Sequence, residues 1–105
     1  VADDIPKRVR DFVVARDGSC CRICGQWVET PALHHINFRS QGKREGRLHL
    51  PENLVCVGWL PGHDCHLPIA HGPRALVVRE VLWAIAEHPH LTALQVARAN
   101  GLRLT

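Results

Sequence analysis

The stretch Cys21-Arg-Ile-Cys24-Gly25 constrains this chain more than any other feature. Two cysteines separated by two residues let one tight knuckle aim both thiolates at the same ion. Cys56 and Cys65 follow later, and four thiolates, Cys21, Cys24, Cys56 and Cys65, complete a tetrahedral structural zinc site. The chain carries five cysteines and eight histidines in 105 residues. An odd number of cysteines cannot all pair within one chain, and the mixture with histidine favours metal over disulfides. Cys21 rather than Cys20 gives the standard spacing, which leaves Cys20 as the odd thiol, packed rather than reactive. The interval from Cys56 to Cys65 is wide and contains His63, which can replace a cysteine in the set.

A metal clip suits a chain of this size. Aromatic residues make up only 5% and tyrosine is absent, so the core is thin and needs a staple. The 46% hydrophobic content nevertheless excludes disorder, and residues 1–105 fit a single domain. The net charge of 13 − 10 = +3 is too small to name a nucleic-acid partner. No apolar run approaches the ~20 residues of a bilayer-spanning helix, which predicts no membrane association. The opening VADDIPKRVR lacks the regions of a signal peptide, so a soluble, cytoplasmic chain is expected.

The pattern predicts an α+β domain. Residues 5–16 read as a helix, with Pro6 at its first position and Val9, Phe12 and Val13 as an inward stripe. Gly18 ends it. Residues 31–37 and 53–57 read as short strands flanking a polar loop with Gly42 and Gly46. Residues 58–64 form another loop, and 65–70 open a short helix. Residues 74–88 are the clearest helix, with Leu76, Val77, Val81, Leu82 and Ile85 as its apolar face. Residues 92–100 make the last helix, capped by Thr92 and stopped by Gly101.

His34 and His35 are neighbours on a predicted strand, so their side chains point to opposite faces. Asn53 lies on the returning strand, and His66 directly follows Cys65. His49, His88 and His90 read as ordinary surface histidines.

That order of blocks resembles the HNH endonucleases. The blocks are ARDGSCCRICG (residues 15–25), LHHIN (33–37), PENLVC (51–56) and Asp64-Cys65-His66, and the likeness spans residues 12–72. It is similar to the variant of actinobacteria and their phages. The resemblance implies a ββα-metal core, also called a His-Me finger, with a zinc clip and flanking helices. It implies that His35 is the general base and that His34 and His66, with His71 as a third, hold one divalent ion. Asn53 would be the structural asparagine that holds the hairpin loop. The implied ion is Mg²⁺, Mn²⁺, Co²⁺, Ni²⁺ or Zn²⁺, and the implied products carry a 5′ phosphate and a 3′ hydroxyl. The chain departs from the pattern at Asn37-Phe38-Arg39, where many relatives have proline after the histidine pair. It also has no acidic residue directly before His34, which favours softer metals beside Mg²⁺.

Arg39, Lys43, Arg44 and Arg47 oppose only Glu45 in the loop after the histidine pair, a local charge of 4 − 1 = +3. Beside a phosphodiesterase site these residues predict contact with DNA phosphates. Lys7, Arg8, Arg10 and Arg16 form a second basic set. The activity expected is metal-dependent cutting or nicking of DNA. In phages such genes resemble partners of the packaging terminase large subunit, which implies a role in packaging or genome processing. The rival is a zinc-stapled DNA-binding module without catalysis, which needs the zinc and the basic loop but not His35.

Overall fold

The computed structural model describes residues 5–36, 50–88 and 90–105. Helix α1 (Lys7–Asp17) starts after Pro6 and ends on Gly18, whose φ of 62° is the left-handed conformation that glycine adopts without penalty. Val13 is buried, but Phe12 is 57% exposed. The stripe expected to include Phe12 is narrower, because the apolar contact of α1 with the sheet is centred on Val13, helped by Ile5, Val9 and Val14.

Strand β1 (Ala32–His35) pairs antiparallel with β2 (Leu54–Val57), with Ala32 opposite Val57 and His35 opposite Leu54. All four residues of β2 are buried, because the strand has cover on both faces. Leu54 and Cys56 meet Val13 of α1, while Val55 and Val57 join the larger core with Ile23, Val78 and Leu82. This is the two-residue alternation of a strand.

Residues 58–64, expected as a loop, contain a second small hairpin, β3 (Trp59–Leu60) and β4 (His63–Asp64). Pro61-Gly62 makes its turn. Proline fixes its own φ, and Gly62 at φ 88° supplies the left-handed second position. The segment expected to open a helix is a π-helical turn, His66–Ala70, with Ala70 N–H donating to Cys65 O and His71 N–H to His66 O, both at 2.9 Å. A Cβ on Gly72 would lie 2.1 Å from the Pro68 carbonyl oxygen, so only glycine lets the chain leave this turn there.

Helix α2 (Ala75–Ile85) buries Val78, Val81, Leu82 and Ile85, an i, i+3, i+4, i+7 stripe. Leu76, expected on that face, is 60% exposed because the stripe begins at Val78. Helix α3 (Ala93–Ala99) opens with a reciprocal capping box between Thr92 and Gln95 and packs against α2. Its first N–H groups reach the cysteine knuckle, Ala93 donating to Arg22 O at 2.8 Å and Leu94 to Ile23 O at 3.0 Å. Among the described residues no helix is long and apolar enough to cross a membrane.

Asp17 is the charged hub of this scaffold. Its side chain is fully buried, and Oδ1 accepts from Arg16 Nε and Arg22 Nη1, both at 2.8 Å. Oδ2 accepts from the Cys56 N–H at 3.0 Å, which ties the end of α1 to β2. Arg22 also donates to the carbonyls of Ile85 and His88 beyond α2, where the helix dipole favours a cation. Arg16 donates to Pro51 O and Leu54 O. It therefore serves the scaffold, unlike the phosphate-facing role expected for it; Lys7, Arg8 and Arg10 are exposed.

Candidate functional site

Two clusters of metal-ligating side chains lie on either side of the Cys65–His66 peptide bond. The first joins Cys21, Cys24, His63 and Cys65, whose ligand atoms all lie within 4.8 Å of one another. Gly25, at φ 89°, closes the knuckle by donating to Cys21 O at 2.7 Å, and Arg22 N–H donates to Cys56 O at 2.8 Å. Hairpin β3–β4 delivers the other two ligands. His63 comes from β4 and Cys65 from the residue after it, at the start of the π turn, and His63 Nε2 lies 2.8 Å from Cys24 Sγ.

Cys56 is not in this cluster, and His63 holds the place expected for it. The reason is strand parity. β2 turns the Cys56 side chain toward α1, where Sγ lies 4.0 Å from Val13 O, while the knuckle packs on the opposite face. Burial also pushes the Cys56 thiol up to about 12, so it stays a neutral thiol. Within the cluster, Cys21 is drawn well below the usual thiol range by a hydrogen bond from Cys65, whose own thiol is raised by it. Burial raises Cys24. A bound cation would strip the remaining thiol protons, since coordination deprotonates thiols outright. Three sulfurs and one imidazole are a standard zinc donor set.

The second cluster joins His34, His66 and His71, again with ligand atoms within 4.8 Å. His34 projects from β1 and is buried, while His66 and His71 stand at the two ends of the π turn. Their Nε2 atoms are 3.1 Å apart. In an α-helix of ~3.6 residues per turn, positions five apart diverge by about 140°; the wider turn brings them onto one side. Asp64 Oδ1 accepts from the His66 and Leu67 N–H groups and fixes where the turn begins. Each ring meets the other two edge-on, with centroids 4.7–5.4 Å apart.

Burial, reinforced by the neighbouring imidazoles His71, His66 and His35, holds His34 down to about 3. His66 is lowered by burial and by His71. Neutral imidazoles offer lone pairs, so the triad suits a borderline transition ion. Comparison with family models, curated proteins and solved structures finds no match. The chemistry of the site therefore rests on its own geometry.

His35 is the last residue of β1, opposite Leu54 and on the other strand parity from His34. Asn53 is buried in a 3₁₀ turn (Pro51–Asn53), and its backbone carbonyl accepts from Ile36 N–H at 2.8 Å, extending the β1–β2 pairing by one bond. Arg39, Lys43, Arg44 and Arg47 lie outside the described residues. The structure thus brings together Cys21, Cys24 and Cys65, and separately His34, His66 and His71. The sequence signal for His63 was the Pro61-Gly62 turn, which folds β4 back on β3 and returns residues 63 and 65 together to the knuckle.

Proposed function

We propose that this chain is a metal-dependent HNH-type endonuclease that hydrolyses DNA phosphodiester bonds. The observation that carries the reading is the convergence of His34, His66 and His71, with His35 adjacent on the same strand. In this reading β1, β2 and the π turn running into α2 are the ββα-metal core. His34, His66 and His71 would hold one divalent ion, which when bound supplies Lewis acidity to the phosphate and stabilises the leaving 3′ oxygen.

The remaining work falls to the chain's own residues. His35 takes a proton from the attacking water, a task for which an imidazole is suited near neutral pH. Asn53 holds the hairpin end that carries His35. The Cys21, Cys24, His63 and Cys65 cluster is a structural zinc site that fixes the knuckle against β4. Arg39, Lys43, Arg44 and Arg47 follow His35 in the chain and grip the DNA backbone without reading bases.

A supercoiled-plasmid nicking assay with Mg²⁺, Mn²⁺, Co²⁺, Ni²⁺ or Zn²⁺ tests the proposal. The wild type should nick, and His35→Ala should lose about 10²–10⁴-fold in rate while retaining DNA affinity. Equal rates for the two under every metal would leave a zinc-stapled DNA-binding module in its place.

A further inference from the structure

Between β2 and β3 lies Gly58, a buried residue that belongs to neither cluster. A Cβ built on it would lie 2.6 Å from His63 Cε1, 2.7 Å from Nε2 and 2.9 Å from Cδ2. Real Cβ atoms do not approach other atoms so closely, so the imidazole occupies the space where a side chain would stand. The nitrogen pressed against Gly58 is the one that reaches Cys24 Sγ at 2.8 Å. The positive-φ glycines among the described residues are Gly18, Gly25, Gly62 and Gly101, and Gly58 is not one of them. Its backbone is therefore open to any L-residue, and the requirement for glycine is steric and lies with His63.

The Gly58 carbonyl has a different task. It accepts from Cys65 N–H at 2.9 Å and His66 N–H at 3.0 Å, the last ligand of one cluster and the first of the other. An alanine would keep those bonds. The obstruction would fall on the His63 ring, which can swing aside only by leaving the cluster.

We propose that Gly58 is a positioning residue that admits His63 to the thiolate cluster and so makes it a three-sulfur, one-nitrogen site. The proposal rests on the two clusters holding ions and is independent of the nuclease reading, since a failed plasmid assay would leave it standing. It predicts that Gly58→Ala behaves as His63→Ala does at the thiolate cluster and leaves the histidine triad alone.

Cobalt(II) titration of the full chain separates these effects, because thiolate-to-cobalt charge transfer and ligand-field bands report the donor set. Wild type should take up two equivalents, one with a three-sulfur, one-nitrogen spectrum and one with histidine nitrogens and no sulfur. Gly58→Ala should show the His63→Ala spectrum and a thiolate-site affinity lower by about 10–100-fold, the usual cost of losing a residue that orients a ligand. The double variant should be no weaker than His63→Ala, and triad affinity should match wild type in all three. A wild-type spectrum in Gly58→Ala would overturn the proposal, as would equal losses at both sites. Should Gly58→Ala fail to fold, folding of Gly58→Ala/His63→Ala supports the steric role, and its failure to fold overturns it. Absence of thiolate-bound cobalt in the wild type would overturn the cluster and the proposal together.

Discussion

The two clusters share a peptide bond and differ in almost everything else. The thiolate cluster has four ligands, two of them buried, drawn from a knuckle and a hairpin. The triad has three imidazoles, grading from buried His34 to exposed His71. Four protein ligands close a zinc shell, whereas three leave a position for water or substrate. The contrast teaches that a single structural joint can place a four-ligand cluster beside a three-ligand one.

Breaking the closed site should have the largest effect. Structural zinc contributes about 10–16 kcal/mol in small finger peptides, comparable to the whole stability of about 5–15 kcal/mol of an ordinary domain. Cys65→Ser should therefore unfold the chain and release both ions, measured by near-ultraviolet dichroism and elemental analysis. A folded Cys65→Ser chain with full metal content would remove the distinction between the sites. Next in size is Asp17→Asn, which leaves two guanidiniums without their buried counter-charge. It should cost about 3–5 kcal/mol in urea denaturation while both ions stay bound. Such a result would show that the scaffold and the metals are separable.

His66→Ala sharpens the comparison from the open side. It should lose one metal equivalent and DNA nicking, yet keep the fold and the thiolate-bound ion. Loss of both equivalents would mean that the clusters form one unit. A smaller effect concerns pH. The folded chain holds His34 at about 3 against an ordinary 6.5, so the unfolded chain binds the extra proton. With the triad emptied by a mild chelator, the His34 contribution is present above 6.5 and is lost as pH falls toward 3. The urea midpoint should fall across that window, and His34→Gln should flatten the difference. The smallest effect is expected for Cys56→Ala, about 1 kcal/mol, with unchanged metal content.

Much of this was legible in the sequence, and what was not has physical causes. The CxxC knuckle, the His34–His35 strand and the Thr92 cap are local patterns, and each appears as expected. Cys56 misled because thiol count carries no information about which face of β2 a side chain takes. His71 was expected beside His66 only through the resemblance, and the π turn that brings the two onto one side has no clear sequence mark, since helical spacing assumes ~3.6 residues per turn. Asp17 and Arg22 carry no sequence signal of a buried ion pair. Arg22 is held by carbonyls at residues 85 and 88, and Asp17 by the Cys56 N–H, partners that no local window contains.

The bonds from α3 to the cysteine knuckle also set an order in time. The carbonyls of Arg22 and Ile23 are met by the N–H groups of Ala93 and Leu94, and a ribosome adds about 5–20 residues per second. Several seconds therefore pass between synthesis of the knuckle and arrival of the helix that completes it. For the first part of that interval Cys21 and Cys24 are without His63 and Cys65, and for all of it they are without α3. An ion that reached the knuckle in that first part would meet two thiols and not four ligands.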